Sequence, residues 1–220
     1  PVFTPRAPEF ADALFLLGDL LNKADSFERA IGILEEAIER YPRDRRVAQA
    51  RFLLAECYRQ SGLALAEDYR NAATAATGHQ LLVEREGRLR KAADLFGQIV
   101  GEYERRAPEG VSALEDLYLR HGRLYEADCF FELKEYAEAA KLYERAAWVY
   151  KDSMSALAAY VQIIQCHMFL GRGDEASAAL RRAQYLVRTL PKDVFGGADA
   201  LETREDWQSL FDWMVRVDLF

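Results

Sequence analysis

Two amphipathic helical patterns follow one another near the start of the chain and then recur, and this pairing constrains the fold more than any other feature. The first pattern has leucines and a glycine at the i, i+3, i+4, i+7 spacing of one helix face: Leu14, Leu17, Gly18 and Leu21. The second pattern starts after a break at Asp25–Ser26 and ends at Tyr41–Pro42. Its helix face consists of Phe27, Ala30, Leu34 and Ala37. The spacing therefore predicts a pair of helices joined by a short turn.

Three further copies of this pairing follow. The small position of the first helix is occupied in turn by Gly18, Ala55, Ala127 and Ile164. The first and last intervals are slightly longer than a ~34-residue helical repeat, and the middle interval is about twice as long. The copies are predicted to span residues 11–44, 48–107, 120–151 and 157–190.

The order of residue types resembles the tetratricopeptide repeat, in which a large-Leu-Gly-Tyr pattern precedes an aromatic-Ala-large-Ala-Pro pattern. Residues 11–44 fill these positions, and Leu54, Ala55 and Tyr58 restate the first half in the second copy. The resemblance implies an all-α fold in which antiparallel helix pairs form one right-handed solenoid over residues 1–220. It also implies a scaffold for protein partners rather than an enzyme.

Small residues at Gly18 and Ala30 are expected to let the helices of the first pair approach closely, since larger side chains would push them apart. Three positions depart from the family pattern. Ile164 replaces the small residue of the fourth copy, Gly173 replaces its aromatic residue, and Glu126 replaces an apolar residue of the third copy.

The long middle interval contains an insertion at about residues 59–88, and its apolar residues keep a helical spacing. We expect both helices of the second pair to be extended and to meet near Thr77–Gly78. They would then form a long hairpin that projects beyond its neighbours. The alternative is a degenerate extra repeat, because the middle interval is close to two periods.

A last helix is predicted after the loop that follows Pro191. Thr203 has the position of an N-cap, and Glu205 and Asp206 place acidic side chains in the first turn. One face of this helix contains Trp207, Leu210, Phe211 and Met214. A terminal repeat leaves an apolar face open, so we expect this helix, at about residues 203–217, to cap the stack.

The composition is that of a folded protein: 220 residues, 50% of them hydrophobic, with a formal net charge of -7. The acidic balance argues against a nucleic-acid partner, because phosphate binding needs a concentrated basic face. The basic cluster of Arg40, Arg43, Arg45 and Arg46 is interrupted by Asp44, and we interpret it as a solvated loop. No stretch has the ~20 apolar residues of a transmembrane helix. The chain starts at Pro1 rather than Met, so we expect a fragment or a processed product.

Motifs for catalysis are missing from the sequence, which has no phosphate-binding Gly-rich loop, no His-Glu-x-x-His and no Cys-x-x-Cys. Cys57, Cys129 and Cys166 each precede the last residue of a first-helix pattern, so they occupy equivalent positions in three copies. Such positions are too far apart to share a disulfide or a metal, and we expect buried, reduced thiols. We therefore expect no enzymatic activity, no metal and no cofactor.

In the tetratricopeptide family, the first helix of each pair lines the concave surface. The resemblance places these residues there: Phe15, Asp19, Asn22, Phe52, Glu56, Arg59, Leu124, Asp128, Phe131, Val161, Gln165 and Met168. An acidic row contains Asp19, Glu56 and Asp128, and the apolar row beside it consists of Phe15, Phe52, Leu124 and Val161. The apolar row suits a partner-binding groove and packing between repeats equally well.

The expected function is a protein-interaction scaffold whose concave groove binds a basic or amphipathic segment of a partner protein. The stretch from Tyr41–Pro42 through Ala50 to Leu54–Tyr58 resembles bacterial envelope members of the family, namely outer-membrane assembly lipoproteins and tol-pal-associated coordinators. That resemblance implies an alternative: a structural component of an envelope assembly that docks partners through the projecting hairpin and the convex face. The compartment stays open between the cell envelope and the cytoplasm, and homo-oligomers are compatible with either function.

Overall fold

The computed structural model describes residues 8–106, 110, 112–195 and 203–216, and within these ranges the chain is helical and contains no strand. The α-helices are α1 (Pro8–Lys23), α2 (Phe27–Arg40), α3 (Val47–Arg70), α4 (Ala75–Arg106), α5 (Ala113–Glu132), α6 (Tyr136–Val149), α7 (Met154–Phe169), α8 (Gly173–Thr189) and α9 (Arg204–Arg216). A short 3₁₀ helix spans Lys192–Phe195. The all-α fold expected from the sequence is confirmed.

The chain forms two compact units, Pro1–Cys129 and Phe130–Phe220. In the first unit, α1 packs against α2, α2 against α3, and α3 against α4, while α1 also contacts α3. In the second unit, α6 packs against α7, α7 against α8, and α8 against α9. The contact between α1 and α3 brings the first helices of two successive pairs side by side, as in a repeat of helix pairs.

The close approach of α1 and α2 depends on the missing side chain of Gly18. A Cβ atom added to Gly18 would lie 2.5 Å from Cδ2 and 2.8 Å from Cγ of Leu34, which is fully buried. Ala30 and Ala37, on the same face of α2, are also fully buried. The small residues therefore let the two helices interlock, as predicted for the first pair.

Glu126 departs from the family pattern, and the structure shows why α5 accommodates it. The side chain of Glu126 lies over Gly97 of α4, where an added Cβ atom would come within 2.8 Å of the carboxylate Oε1. A glycine on the facing helix thus makes room for a longer polar side chain, and Glu126 stays only half-buried.

The long hairpin of α3 and α4 turns at residues 71–74, so the expected turn at Thr77–Gly78 is wrong. The reason is a helix cap. The hydroxyl oxygen of Thr74 accepts a hydrogen bond from the backbone N–H of Thr77 at 3.1 Å, which starts α4 one turn earlier. Gly78 instead lies inside α4 and packs against Tyr69 and Ala72. Both helices run without a break through the insertion, whereas a degenerate extra repeat would need two further helices.

The terminal helix α9 packs against α8 through Trp207, Phe211 and Met214, all of which are buried. Thr203 caps α9: its hydroxyl accepts the N–H of Asp206 at 3.2 Å, and the carboxylate of Asp206 accepts the N–H of Thr203 at 2.9 Å. The guanidinium of Arg204 donates to the carbonyl oxygens of Val187 and Arg188 at the end of α8, at 2.6 and 3.0 Å. These bonds join the start of α9 to the end of α8.

The packing of Gly18 can be tested with a pair of alanine substitutions. We expect Gly18→Ala to lower the free energy of unfolding by about 1–3 kcal/mol, because buried Leu34 would have to shift to admit the added methyl group. Gly32 on α2 is the matched control, since it is exposed and an added Cβ would meet no atom within 4 Å. Gly32→Ala should raise stability by about 0.5–1 kcal/mol. Urea denaturation measures the free energy of unfolding of both variants. Equal changes of the same sign would contradict the close approach of α1 and α2.

The outer part of the hairpin is expected to be dispensable for folding. Among residues 63–87 only Gly78 is buried, whereas Leu89 directly below this segment is fully buried. Replacing residues 63–87 by a short connector should leave a single cooperative thermal transition, since repeat units are held by neighbouring contacts. Leu89→Ala should instead lower stability by about 2–5 kcal/mol. A deletion variant that loses cooperative melting would show that this segment belongs to the core.

Candidate protein-binding face

The first helices of successive pairs, α1, α3 and α5, share one face of the first unit. The ring of Phe52 on α3 stacks on Tyr118 of α5 with centroids 4.6 Å apart. Burial raises the pKa of Tyr118, and the negative charge of Asp19 on α1 raises it further. We call the surface formed by α1, α3 and α5 in this unit the first-helix face.

The two phenylalanines that begin the apolar row are packing residues. Phe15 is 6% exposed and Phe52 is 8% exposed. Phe52 also meets Phe96 of α4 edge-on at 5.7 Å, so it lies inside an aromatic layer rather than on a surface. The sequence left two roles open for the apolar row, partner binding and packing between repeats. Phe15 and Phe52 therefore have the packing role.

A cleft of about 200 Å³ opens between α1 and α3 on the first-helix face. It is lined by Phe15, Leu16, Asp19, Leu34, Arg46, Gln49, Ala50 and Leu53. Leu16 at its edge is 60% exposed, and Leu20, one turn further along α1, is 52% exposed. The cleft thus combines an apolar wall with a few polar groups and has large exposed side chains beside it.

Arg43 and Arg45 of the arginine cluster are exposed in the loop between α2 and α3, whereas Arg46 lines this cleft. Its guanidinium donates to both carboxylate oxygens of Asp44, at 2.9 and 2.8 Å, and to Asp12 at 2.7 Å. It also lies over the ring of Phe15, 4.5 Å from the centroid. The hydrogen bond from Arg46 lowers the pKa of Asp44 to about 2, so this carboxylate stays ionised at neutral pH.

A second polar group lies further along the face, around Arg59 of α3. Arg59 donates to both oxygens of Glu56 at 2.8 Å, and Gln60 donates to the same carboxylate at 2.8 Å. The guanidinium also lies 4.4 Å from the ring centroid of Tyr125 on α5. Cation, carboxylate and ring therefore hold one another in place between α3 and α5.

The acidic row is largely neutralised by neighbouring cations. Asp19 pairs with Lys23 at 2.6 Å, and Glu56 pairs with Arg59. The negative charge of Asp128 also acts on Arg59. A basic partner would consequently meet carboxylates that already have cationic neighbours.

The remaining predicted site residues occupy separate places. Asn22 accepts a hydrogen bond from the thiol of Cys57 at 3.3 Å, and Leu124 is half-buried on α5. In the second unit, Phe131 contacts Tyr136 and Phe169 edge-on at 5.3 and 5.8 Å. On α7 of that unit, Val161, Gln165 and Met168 are half-buried.

Sequence reasoning missed two tyrosines and a histidine of α5. Tyr118 and Tyr125 are one heptad apart on the same helix side, and His121 lies between them with its ring 5.4 Å from Tyr125. Burial lowers the pKa of His121, which favours its neutral form at pH 7. The i, i+7 spacing of the two tyrosines was the available signal, because it repeats the side of α5 that faces α3.

The three cysteines are buried and free, as the sequence predicted. Burial raises the pKa of the Cys57 and Cys166 thiols to about 12, and it also raises that of Cys129. The described residues contain no group of His, Cys, Asp and Glu that could hold a metal ion. No described helix is long and apolar enough to cross a membrane.

A sequence profile of the tetratricopeptide repeat matches residues 12–44, which include most of α1 and α2, and residues 116–153, which include most of α5 and α6. These two regions of the chain are therefore tetratricopeptide repeats. Tetratricopeptide repeats generally mediate protein–protein interaction, so a protein partner is the kind of ligand that the family implies. A comparison with characterised proteins finds no match, and the resemblance to envelope members stays a prediction.

The raised thiol pKa values predict slow chemistry in the folded state. Only the thiolate reacts with disulfide reagents. Burial keeps these thiols protonated at pH values well above the usual pKa of cysteine. At pH 8 we expect negligible reaction of native protein with an aromatic disulfide reagent, and complete reaction of all three thiols in concentrated urea. Rapid modification of any thiol in the native protein would contradict the burial of the first-helix positions.

Proposed function

We propose that the chain is an interaction scaffold whose first-helix face binds an amphipathic segment of a partner protein. The supporting observation is the cleft between α1 and α3, with Leu16 and Leu20 exposed beside it and Asp19 at its wall. The apolar side of the segment would cover these leucines. Its basic residues would lie near Asp19 and Glu56. Because Lys23 and Arg59 already neutralise part of this negative charge, the positive charge of the segment adds only modestly to its affinity.

A second candidate is docking through the hairpin, as in the envelope-assembly alternative. Tyr69 on α3 is 44% exposed and Val83 on α4 is 56% exposed, so the outer hairpin also presents apolar side chains. Neither residue lines the cleft between α1 and α3, so each surface can be substituted without changing the side chains of the other. The two candidates can therefore be separated by mutation.

Selection from a displayed library of random peptides tests both surfaces. Peptides enriched on the wild-type chain should have apolar residues at i, i+3 and i+4 together with Lys or Arg. The Leu16→Glu/Leu20→Glu variant should bind them at least tenfold more weakly, a change of about 1.4 kcal/mol or more. Val83→Glu is the matched control, because it adds a carboxylate at an equally exposed apolar position and should bind like the wild type.

Circular dichroism melting of the variants provides the folding control, since all three positions are exposed and little change is expected. Loss of binding in Val83→Glu, with binding retained in Leu16→Glu/Leu20→Glu, would assign the function to the hairpin instead. Enrichment of peptides without any apolar pattern would contradict both candidates.

A further inference from the structure

A basic cleft lies between α6, α7 and α8 of the second unit. It has a volume of about 480 Å³. Its lining consists of Ala147, Lys151, Tyr160, Ala178, Arg181, Arg182, Tyr185 and Leu186, so it contains cations and aromatic rings but no carboxylate. We call it the basic cleft. Its charge is opposite to that of the acidic row on the first-helix face.

The sequence of α8 explains why the cations gather there. One side of the helix, at i, i+3, i+4 and i+7, consists of Ala178, Arg181, Arg182 and Tyr185. The other side packs in the core through Ala176, Ala179, Leu180, Ala183 and Val187. The acidic residues Asp174 and Glu175 lie in the first turn, roughly 9 Å or more along the helix from the arginines. The two signs of charge are thus separated along α8.

The cations of the basic cleft keep their charge available. The guanidinium of Arg181 donates to the hydroxyl of Ser177 at 2.8 Å, and Lys151 lies 5.5 Å from the ring centroid of Trp148. Among the residues that the structure describes, no carboxylate forms an ion pair with Lys151, Arg181 or Arg182. In the first unit, by contrast, Lys23 and Arg59 are both paired with acidic neighbours. Three close cations without a counter-charge favour an anionic ligand.

Apolar groups in and around the basic cleft indicate what else such a ligand carries. Ala147 is buried and Leu186 is half-buried on the lining, while Tyr185 is 64% exposed. Trp148, whose ring lies beside the cleft residue Lys151, is 75% exposed. A concave site with an apolar lining accepts a side chain of a peptide better than the sugar–phosphate backbone of a nucleic acid. The net charge of -7 also repels long polyanions.

We propose that the basic cleft binds an acidic segment of a partner protein. Carboxylates of the segment pair with Arg181 and Arg182, whose planar forks suit bidentate bonds. An apolar or aromatic side chain of the segment packs between Tyr185 and Leu186. This site is independent of the first-helix face, because it lies in the other unit and recognises the opposite charge.

Fluorescence anisotropy with the full chain tests this site. The probe is a labelled peptide of alternating Glu and Phe residues, and its counterpart has Gln at every Glu position. We expect the Glu peptide to bind more tightly than the Gln peptide, and Arg181→Glu/Arg182→Glu to weaken its binding more than tenfold. Tyr185→Ala should weaken it several-fold. Arg29→Glu/Lys91→Glu, at two exposed positions of the first unit, is the control with the same change in net charge and should stay within about twofold of wild type.

Several results would overturn the site. Equal binding by wild type and Arg181→Glu/Arg182→Glu, or equal binding of the Glu and Gln peptides, would show that the cleft does not recognise carboxylates. Tighter binding of single-stranded DNA or of phosphatidylserine vesicles, lost in the same variant, would assign the cleft to another class of anion. The Leu16→Glu/Leu20→Glu variant should bind the Glu peptide normally, so failure at one surface is distinguishable from failure at the other.

Discussion

The close approach of paired helices is the constraint on which the rest of this structure depends. Gly18 admits the side chain of Leu34, and a Cβ atom at Gly62 would come within 3.1 Å of Leu89 in the second pair. A missing side chain on one helix thus receives a large side chain of the next. Because the pairs pack this closely, α1 can contact α3, and the first-helix face becomes a continuous surface.

Below the exposed side chains of this face lies a buried layer that is held together by aromatic and ionic contacts. Phe52 and Tyr118 belong to this layer, since both are buried and stack on each other. Glu56 and Arg59 add a bidentate ion pair that is mostly shielded from solvent, with side-chain exposures of 17% and 13%. Such a pair costs desolvation free energy, but it fixes the orientation of both groups. Leu16 remains as an exposed apolar contact.

Net charge alone is a poor guide to the surfaces of this protein. The formal net charge is -7 and the acidic row on the first helices suggested a basic partner, yet the carboxylate of Asp19 is paired with Lys23, while Arg181 and Arg182 in the second unit have no acidic neighbour on their cleft. Local pairing decides which charges a partner can meet. Exposed pairs contribute little to stability, so their arrangement can serve recognition instead.

The sequence by itself determined the helix pairs, because the apolar spacing, the glycine of the first pair and the Thr203 cap act over one or two helical turns. Only the tertiary structure decided that Phe15 and Phe52 pack inward, since burial depends on which helix covers a given side. It also decided that Thr74 rather than Gly78 marks the hairpin turn, because a cap and a glycine compete locally. The basic cleft combines residues of α6, α7 and α8, and a sequence does not reveal which distant helices meet.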